Sequence, residues 1–297
     1  MPLNLNSLRL FLAVAMQGGF SRAARVAGVS QPAISKAVRL LEAQSGAQLL
    51  VRSSTGVTLT EAGRLLLEHA RALFAEEQAA EERLDALRGL KGGVLRVGAS
   101  GTLAGYVVPA ILGRLYQLHP AIEIDLYSAN ARAIVGAVLE HRVELGLVEG
   151  PVRDGRVDVR PWREDVLVAV AAPSHPLAKT RPIPGQRLMK ELMLLREEGS
   201  GTRDVTMAAF RRRHWVPDRT FEVNNTESIK GMVTAGMGWA LLSRHTVRDE
   251  LELGRLCELD VKDLSLRRTL SWVRLKTRRL GPAAAAFHAL AQAAPMA

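Results

Sequence analysis

The chain has 297 residues, 47% of them apolar and 24% charged, with a formal net charge of +10 and a sequence pI near 10.4. That length exceeds one compact core of ordinary size, so two or three domains are expected, and the basic balance points to an anionic partner. A lone Cys257 excludes a disulfide framework or multi-cysteine metal site; no apolar run nears the ~18 residues of a membrane span, and no signal peptide is seen, so a cytoplasmic, metal-free protein is expected.

Half of the excess charge falls within residues 1–60, where Arg9, Arg22, Arg25, Lys36, Arg39 and Arg52 stand against Glu42 alone. The stretch "LNSLRLFLAVAMQGG" puts Leu5, Leu8, Phe11, Leu12, Ala15 and Met16 on one helical face and stops at Gly18-Gly19. Ser21 reads as the N-cap of a short helix, "RAARVA", ended by Gly28. Ser30 caps a third helix, "QPAISKAVRLLEAQ", with Pro32 in its first turn, where a missing N–H costs little. Two short helices joined by a tight glycine-containing turn form a helix-turn-helix. In that motif the early residues of the second helix reach base edges in the major groove of double-stranded DNA. Gln31, Ser35, Lys36 and Arg39 take those places, while Ala33, Ile34, Val38 and Leu41 are expected to pack inward. Glutamine suits adenine, and lysine or arginine suits guanine or phosphate. "LLVRSSTGVTLT" reads as two short strands forming a wing, with Arg52 and Ser53 set for phosphate. Ser21, Arg22, Ser30 and Pro32 complete the candidate DNA face. The same segment also fits a plain three-helix scaffold with solvated basic residues, since this geometry occurs in proteins that bind no DNA.

Thr60 caps a long helix with Glu61 in its first turn, where the helix dipole favours an acid. Leu66, Ala70, Leu73, Glu77, Ala80, Leu84 and Leu87 follow in alternating steps of four and three, a heptad seam broken only at Glu77. At ~1.5 Å per residue, residues 60–87 span roughly 42 Å. Such a helix needs a partner, either a second copy paired through Leu66, Leu73, Leu84 and Leu87 or the chain's own body. "GLKGG" at 89–93 then reads as a flexible joint.

The run "FLAVAMQGGFSRAARVAGVSQPAISKAVRLLEAQSGAQLLVRSSTGVTLTEAG" resembles the DNA-binding region of LysR-type transcriptional regulators. The resemblance is carried by Ala23-Ala24, the hexapeptide from Ser30 to Ser35, Leu41-Glu42, Leu59-Thr60 and Ala62-Gly63. Leu50 departs from it, standing where the family usually has phenylalanine, but it stays apolar.

From Val94 onward, strands and helices alternate. "VLRVGAS" is followed by a helix over 103–118, "IEIDLYSA", a helix over 131–140 and "VELGLVEG". A second set contains "DVLVAVAAP", the proline-rich "PSHPLAKTRPIPG", "LMLLRE", a helix over 202–214, "TFEVN", a helix over 226–235 and "WALLS". "TLSWVRL" and a helix over 281–293 return to the first set, making two crossovers. Alternation predicts an α/β body with a mainly parallel sheet. Two lobes so connected are similar to the effector-binding domain of the same family, itself similar to periplasmic binding proteins. The expected division is a winged helix-turn-helix over 1–60, a coiled-coil linker helix over 60–90 and an effector domain over 91–297. Lobe 1 takes 93–162 and 266–297, and lobe 2 takes 163–265.

Ser100-Gly101-Thr102 and Ser200-Gly201-Thr202 both stand where a strand ends and a helix begins, one in each lobe. Ligands of open α/β sheets sit at such junctions, where helix N-termini offer unpaired N–H groups. Asn130, Glu149 in "LVEGPV", and Thr226 stand at further strand ends or helix starts, and Arg196 or Arg203 could supply charge. Serine and threonine are also simply good N-caps, which leaves a ligand-free reading open. The family resemblance implies an inducer held between the lobes from these two loops. "REEGSGTR" with "LVEGPV" resembles the subgroup that regulates sulfur assimilation and autotrophic carbon fixation. That subgroup implies a small anionic effector (a sulfur oxyanion, carboxylate or phosphate), and the family as a whole implies no cofactor, a homotetramer of two dimers, and RNA polymerase as a partner. No G-x-S-x-G, H-E-x-x-H, strand-linked G-x-G-x-x-G or phosphate-binding Walker loop marks an enzyme. A solute-binding protein would fit the lobes alone but needs export.

Overall fold

A computed structural model of the chain describes residues 2–53, 56–87 and 92–293. Two compact units emerge, residues 1–84 and 85–297. No described helix is long and apolar enough to cross a membrane.

The first unit holds α1 (Leu5–Gln17), α2 (Phe20–Val26), α3 (Gln31–Ser45), β1 (Leu50–Ser53), β2 (Gly56–Leu59) and most of α4 (Glu61–Leu87). Asn4 caps α1 by accepting from the Ser7 amide, and Gly18 ends it in the left-handed region at φ 63°. The buried stripe of α1 is Ser7, Leu8, Phe11 and Val14, while Leu5 and Met16 are exposed. The expected face was therefore rotated, because α2 and α3 press on the side that carries Val14. Ser21 is not a cap. Buried Phe20 starts α2, and extended Gly19 precedes it as N-cap without a side-chain bond. Ser30 caps α3 as expected, accepting from the Ala33 amide at 3.3 Å, whereas Ala33 itself is exposed rather than packed inward.

Strands β1 and β2 pair antiparallel, with Leu50 opposite Leu59 and Ser53 opposite Gly56. Ser54 and Thr55 at the tip lie outside the described residues, as does the Ser53 side chain. Thr60 accepts from the Gly63 amide at 2.9 Å. A Cβ on Gly63 would sit 2.0 Å from the Leu49 carbonyl oxygen, so only glycine lets α4 leave the wing here. Along α4, Leu67 and Ala70 are buried, and Leu66 and Phe74 pack against the core of this unit. Glu77, the break in the heptad seam, is held by Arg9 at 2.8 Å. Leu73 and Leu84 remain 41% and 55% exposed. The Leu87 side chain and residues 88–91, most of the expected joint, lie outside the described residues.

The second unit continues with β3 (Gly93–Ser100), α5 (Gly101–Tyr106), α6 (Val108–Leu118), β4 (Ile122–Ala129), α7 (Ala131–Leu139), β5 (Leu145–Glu149) and β6 (Val157–Ala171). Then come α8 (Gly185–Leu188), β7 (Met193–Arg196), α9 (Gly201–Arg213), β8 (Thr220–Val223), α10 (Thr226–Thr234) and β9 (Trp239–Ser243). The chain closes with α11 (Arg244–Glu252), β10 (Cys257–Glu258), β11 (Leu266–Leu275) and α12 (Pro282–Ala293). The helix expected over 103–118 breaks at Val107, and Pro109, which needs no N–H, opens α6. The strand order is β4-β3-β5-β11-β6-β9-β7-β8, with β10 beside β6. Both ends of this sheet are parallel, as alternation predicts. Its middle is not: β6 and β11 run antiparallel to each other and to their neighbours β9 and β5. These are the two crossovers, and they join the lobes. Strand β6 starts eight residues before the run read from the sequence, since its first half, "VDVRPWRE", is too charged to resemble a strand.

Each half of the sheet is covered on both faces. Leu95, Val97, Leu115, Trp272 and Phe287 fill one side of lobe 1, and Ile134, Val138, Val148 and Val273 the other. In lobe 2, Leu195, Phe210, Trp239 and Leu241 form one core, and Val170, Ile229, Val233 and Leu242 the second. Double coverage brings the helix starts after β3, β4, β7 and β8 to the border between the lobes.

Candidate functional site

On the first unit, Ser21, Arg22, Ser30, Gln31, Pro32, Lys36, Arg39 and Arg52 are exposed. Positions 31, 35 and 39, with 32 and 36, follow the four-residue step that aligns side chains on one helix face. Ser35 differs from its neighbours because it is buried. Its hydroxyl accepts from the Arg52 guanidinium at 3.4 Å, and the same guanidinium lies 4.1 Å from the centre of the Phe20 ring. Arg52 is thereby held beside α3 and the Phe20 ring, and the Ser35 hydroxyl, expected on the base-reading face, is instead buried against it.

In the second unit, Ser100 is the N-cap of α5 and Ser200 that of α9, but neither side chain makes a capping bond. Both hydroxyls are buried and without a hydrogen-bond partner. The capping explanation of these two serines therefore has no bond behind it. Thr102 and Thr202 meet from opposite lobes on Arg268, which the sequence reading did not include. Its guanidinium donates to Thr202 Oγ1 at 2.8 Å and to Thr102 Oγ1 at 3.4 Å. It also donates to Asp165 Oδ2 at 2.6 Å and lies 3.7 Å from Glu149 Oε1. Asp165 accepts a further bond from Ser243 Oγ at 2.8 Å.

The Arg268 and Glu149 side chains are almost fully buried. Glu149 Oε2 has no partner, and burial pushes its carboxyl above the ordinary carboxylate range, with Arg268 and then Arg196 acting against that rise without cancelling it. Gly201 packs on the Glu149 backbone so closely that a Cβ would lie 1.9 Å from the carbonyl oxygen. Glycine is required there for contact between lobes, beyond any need to approach a ligand.

A cavity of about 440 Å³ opens beside this cluster. Among its lining residues are Gly101, Tyr106, Asn130, Arg196, Glu197 and Thr226. Asn130 caps α7 through the Ala133 amide at 3.0 Å and donates across the cleft to the Glu198 carbonyl at 3.4 Å. The Arg132 amide donates to the Gly199 carbonyl at 3.1 Å, so the loops after β4 and β7 are tied together. Arg196 donates to Thr226 Oγ1 at 2.9 Å. Arg203, the other candidate cation, is paired with Glu222 and does not line this cavity. At the far rim, Lys230 donates to the Tyr106 hydroxyl at 2.9 Å and pairs with Glu250 at 2.8 Å and Glu227 at 3.1 Å. Burial works against the Lys230 charge, but its bonds to Glu250 and Glu227 outweigh that and hold its pKa above the usual lysine range.

The residues named from sequence thus fall into three groups. Thr102, Thr202 and Glu149 surround Arg268; Gly101, Asn130 and Thr226 line the cavity with Arg196; Ser100 and Ser200 are buried just behind Gly101 and Gly201. Both threonine hydroxyls are engaged by Arg268, whereas those of Ser100 and Ser200 have no partner. Of the residues not named from sequence, Glu197 lies inside the quoted "REEGSGTR", whereas Arg268, Asp165, Tyr106 and Lys230 come from segments that carry no recognisable motif.

A family model described as the LysR substrate binding domain matches residues 88–295. A second, for bacterial regulatory helix-turn-helix proteins of the lysR family, matches residues 5–64. The chain is similar to the RuBisCO operon transcriptional regulator of Allochromatium vinosum, 36% identical over 298 residues, covering 100% of this chain and 98% of that one. It is similar in fold to full-length OxyR from Pseudomonas aeruginosa, with a TM-score of 0.77 and 23% identity over 98% of this chain and 94% of that one. The regulatory domain of Synechocystis CcmR, solved in complex with 2-PG, is 31% identical with a TM-score of 0.63, over 68% of this chain and 96% of that one.

Proposed function

The chain belongs to the LysR family of transcriptional regulators, and from that membership we propose that its cleft senses a small anion through Arg196 while α3 reads the operator. It is a DNA-binding regulator with an effector-binding domain and not an enzyme. The proposed division of labour is DNA binding by residues 1–60, pairing by 60–90 and sensing by 91–297, with lobe 1 formed by 93–162 and 266–297 and lobe 2 by 163–265.

The observation that carries the anion reading is a nearly buried guanidinium, Arg196, on the wall of a 440 Å³ cavity between the lobes. Two buried hydroxyls without partners, on Ser100 and Ser200, stand next to cavity-lining or cleft-closing glycines. Buried polar atoms are rarely left unpaired, and an oxyanion seated between these serines would satisfy both. The effector class is a sulfur oxyanion, carboxylate or phosphate, in keeping with the 2-PG complex of the related domain. Binding acts by favouring one arrangement of the lobes over another.

Ser100→Ala and Ser200→Ala test this reading. Each removes a hydroxyl that bonds to nothing in the unliganded protein, so stability should change by less than about 0.5 kcal/mol. Each should weaken anion binding about tenfold, the equivalent of one charge-assisted hydrogen bond. Calorimetry with sulfate, sulfite, thiosulfate and phosphorylated metabolites supplies the readout. Unchanged affinity for the best-bound anion in both variants would remove the serines from the site.

On the DNA side, Gln31→Ala should relax base preference and leave the salt dependence nearly intact. Arg52→Ala should weaken all sequences alike and lower the salt slope by about one unit. Anisotropy titrations over a salt series separate the two. A change of base preference in Arg52→Ala but not in Gln31→Ala would reverse these roles.

A further inference from the structure

We propose that Glu197 is a tethered carboxylate that occupies the anion seat of Arg196 in the unliganded protein, and that the effector enters by exchanging with it. This rests on the cavity being the effector site. Consecutive residues of a strand point to opposite faces, yet Arg196 and Glu197 are paired side to side. The reason is that β7 ends at Arg196 and the chain then turns, the Ser200 amide donating to the Glu197 carbonyl at 3.2 Å. The turn folds the Glu197 carboxylate back onto its neighbour. Arg196 Nε donates to Glu197 Oε2 at 2.7 Å and Nη2 donates to Oε1 at 3.0 Å. That is a two-point grip on one edge of the guanidinium, the geometry in which arginine takes carboxylates and phosphates.

Among the described residues that line the cavity, Arg196 is the one cationic side chain. The other charged lining residues are Glu197 and Glu227. Glu227 is held by Lys230 at 3.1 Å and by the Tyr106 hydroxyl. The remaining bonded nitrogen of Arg196, Nη1, goes to Thr226. An anion that entered without displacing Glu197 would face two carboxylates and could not reach the Nε–Nη2 edge, which Glu197 occupies. Displacement removes one of those carboxylates from the seat and exposes the fork. Glu197 can leave without crossing the protein interior, because its side chain is 17% exposed against 6% for that of Arg196. A tetrahedral dianion such as phosphate or sulfate outcompetes the single charge of Glu197, whereas a monocarboxylate only matches it. The exchange therefore selects doubly charged anions and lowers their apparent affinity by the fraction of molecules in which the seat is taken.

The test is calorimetric titration of the full chain with inorganic phosphate and sulfate. Glu197→Gln keeps the shape but gives up the charge, and it should bind phosphate about tenfold more tightly than the parent. Glu197→Asp keeps the charge on a shorter stem that cannot make both contacts, and it should bind about threefold more tightly. The aspartate variant carries the test if the glutamine variant does not fold. Arg196→Ala should abolish binding. Equal or weaker phosphate binding in Glu197→Gln and Glu197→Asp, with binding still lost in Arg196→Ala, overturns the exchange and leaves the cavity as the site. Binding that survives Arg196→Ala, or no binding of either anion by any form, overturns the cavity assignment and the exchange with it.

Discussion

Replacing Arg268 with methionine should cost the effector domain about 3–5 kcal/mol, the usual penalty for removing one partner from a buried ion pair. The side chain is fully enclosed and holds Asp165 at 2.6 Å and Glu149 at 3.7 Å, so its loss leaves two buried carboxyls with no cation between them. It also removes the one group that both Thr102 and Thr202 contact, and with it a bond between the lobes. For a unit of this size the loss corresponds to a fall in Tm of roughly 6–20 °C. All four tryptophans lie at or after Trp162, so intrinsic fluorescence during denaturation reports on this unit alone. The deficit should shrink in acid. Glu149 already has a raised folded-state pKa, so between the unfolded and folded pKa values folding takes up a proton and stability falls as pH rises. Without Arg268 that dependence steepens. Adding Glu149→Gln and Asp165→Asn to the methionine variant should recover most of the loss, since a neutral cluster has no charge to leave unpaired. A loss below about 1 kcal/mol in the single variant would mean that water reaches the cluster and screens it.

Leu73→Asp and Leu84→Asp should each convert a dimer to monomers and lower operator affinity by more than about 100-fold. Both leucines are exposed on α4, although a 27-residue helix with this apolar periodicity needs cover. The proposed cover is the α4 of a second copy. An aspartate in that seam is buried without a partner, at a cost of several kcal/mol. Operator affinity follows because two linked heads bind two half-sites with an avidity gain of about 10²–10⁴, which separated heads lose. Leu66→Asp should act differently, because Leu66 packs against the core of its own unit; there the first symptom is loss of folding. Sedimentation velocity distinguishes the cases. An unchanged sedimentation coefficient for both Leu73→Asp and Leu84→Asp would exclude α4 as the dimer seam.

Local rules made much of the chain legible. Asn225 is an N-cap that was not singled out, yet the helix over 226–235 was still visible from its apolar spacing. Ser30 was found because a cap followed by proline is a signal contained in a few adjacent residues. The first half of strand β6 and the whole of helix α11 are not legible in the sequence, because charged residues outnumber apolar ones in both. Their pairing partners lie about a hundred residues away or across the sheet, beyond the reach of any local pattern.

The sequence by itself determined the winged helix-turn-helix, the long helix and the α/β alternation, and it placed the two Ser-Gly-Thr tripeptides where a strand ends and a helix begins. Those features follow from periodicity, capping and turn chemistry, which act within a few residues. Which of two adjacent arginines enters the site was decided only by the tertiary structure. Arg267 is exposed beside Glu164, and Arg268 is buried between the lobes, because the pairing of β11 with β6 sets which face each side chain takes. A one-residue slip would exchange them. The same holds for Glu197, whose carboxylate reaches Arg196 only because the chain turns after β7. It holds for Thr102 and Thr202 as well, a hundred residues apart, which become partners because one guanidinium from a third segment lies between them.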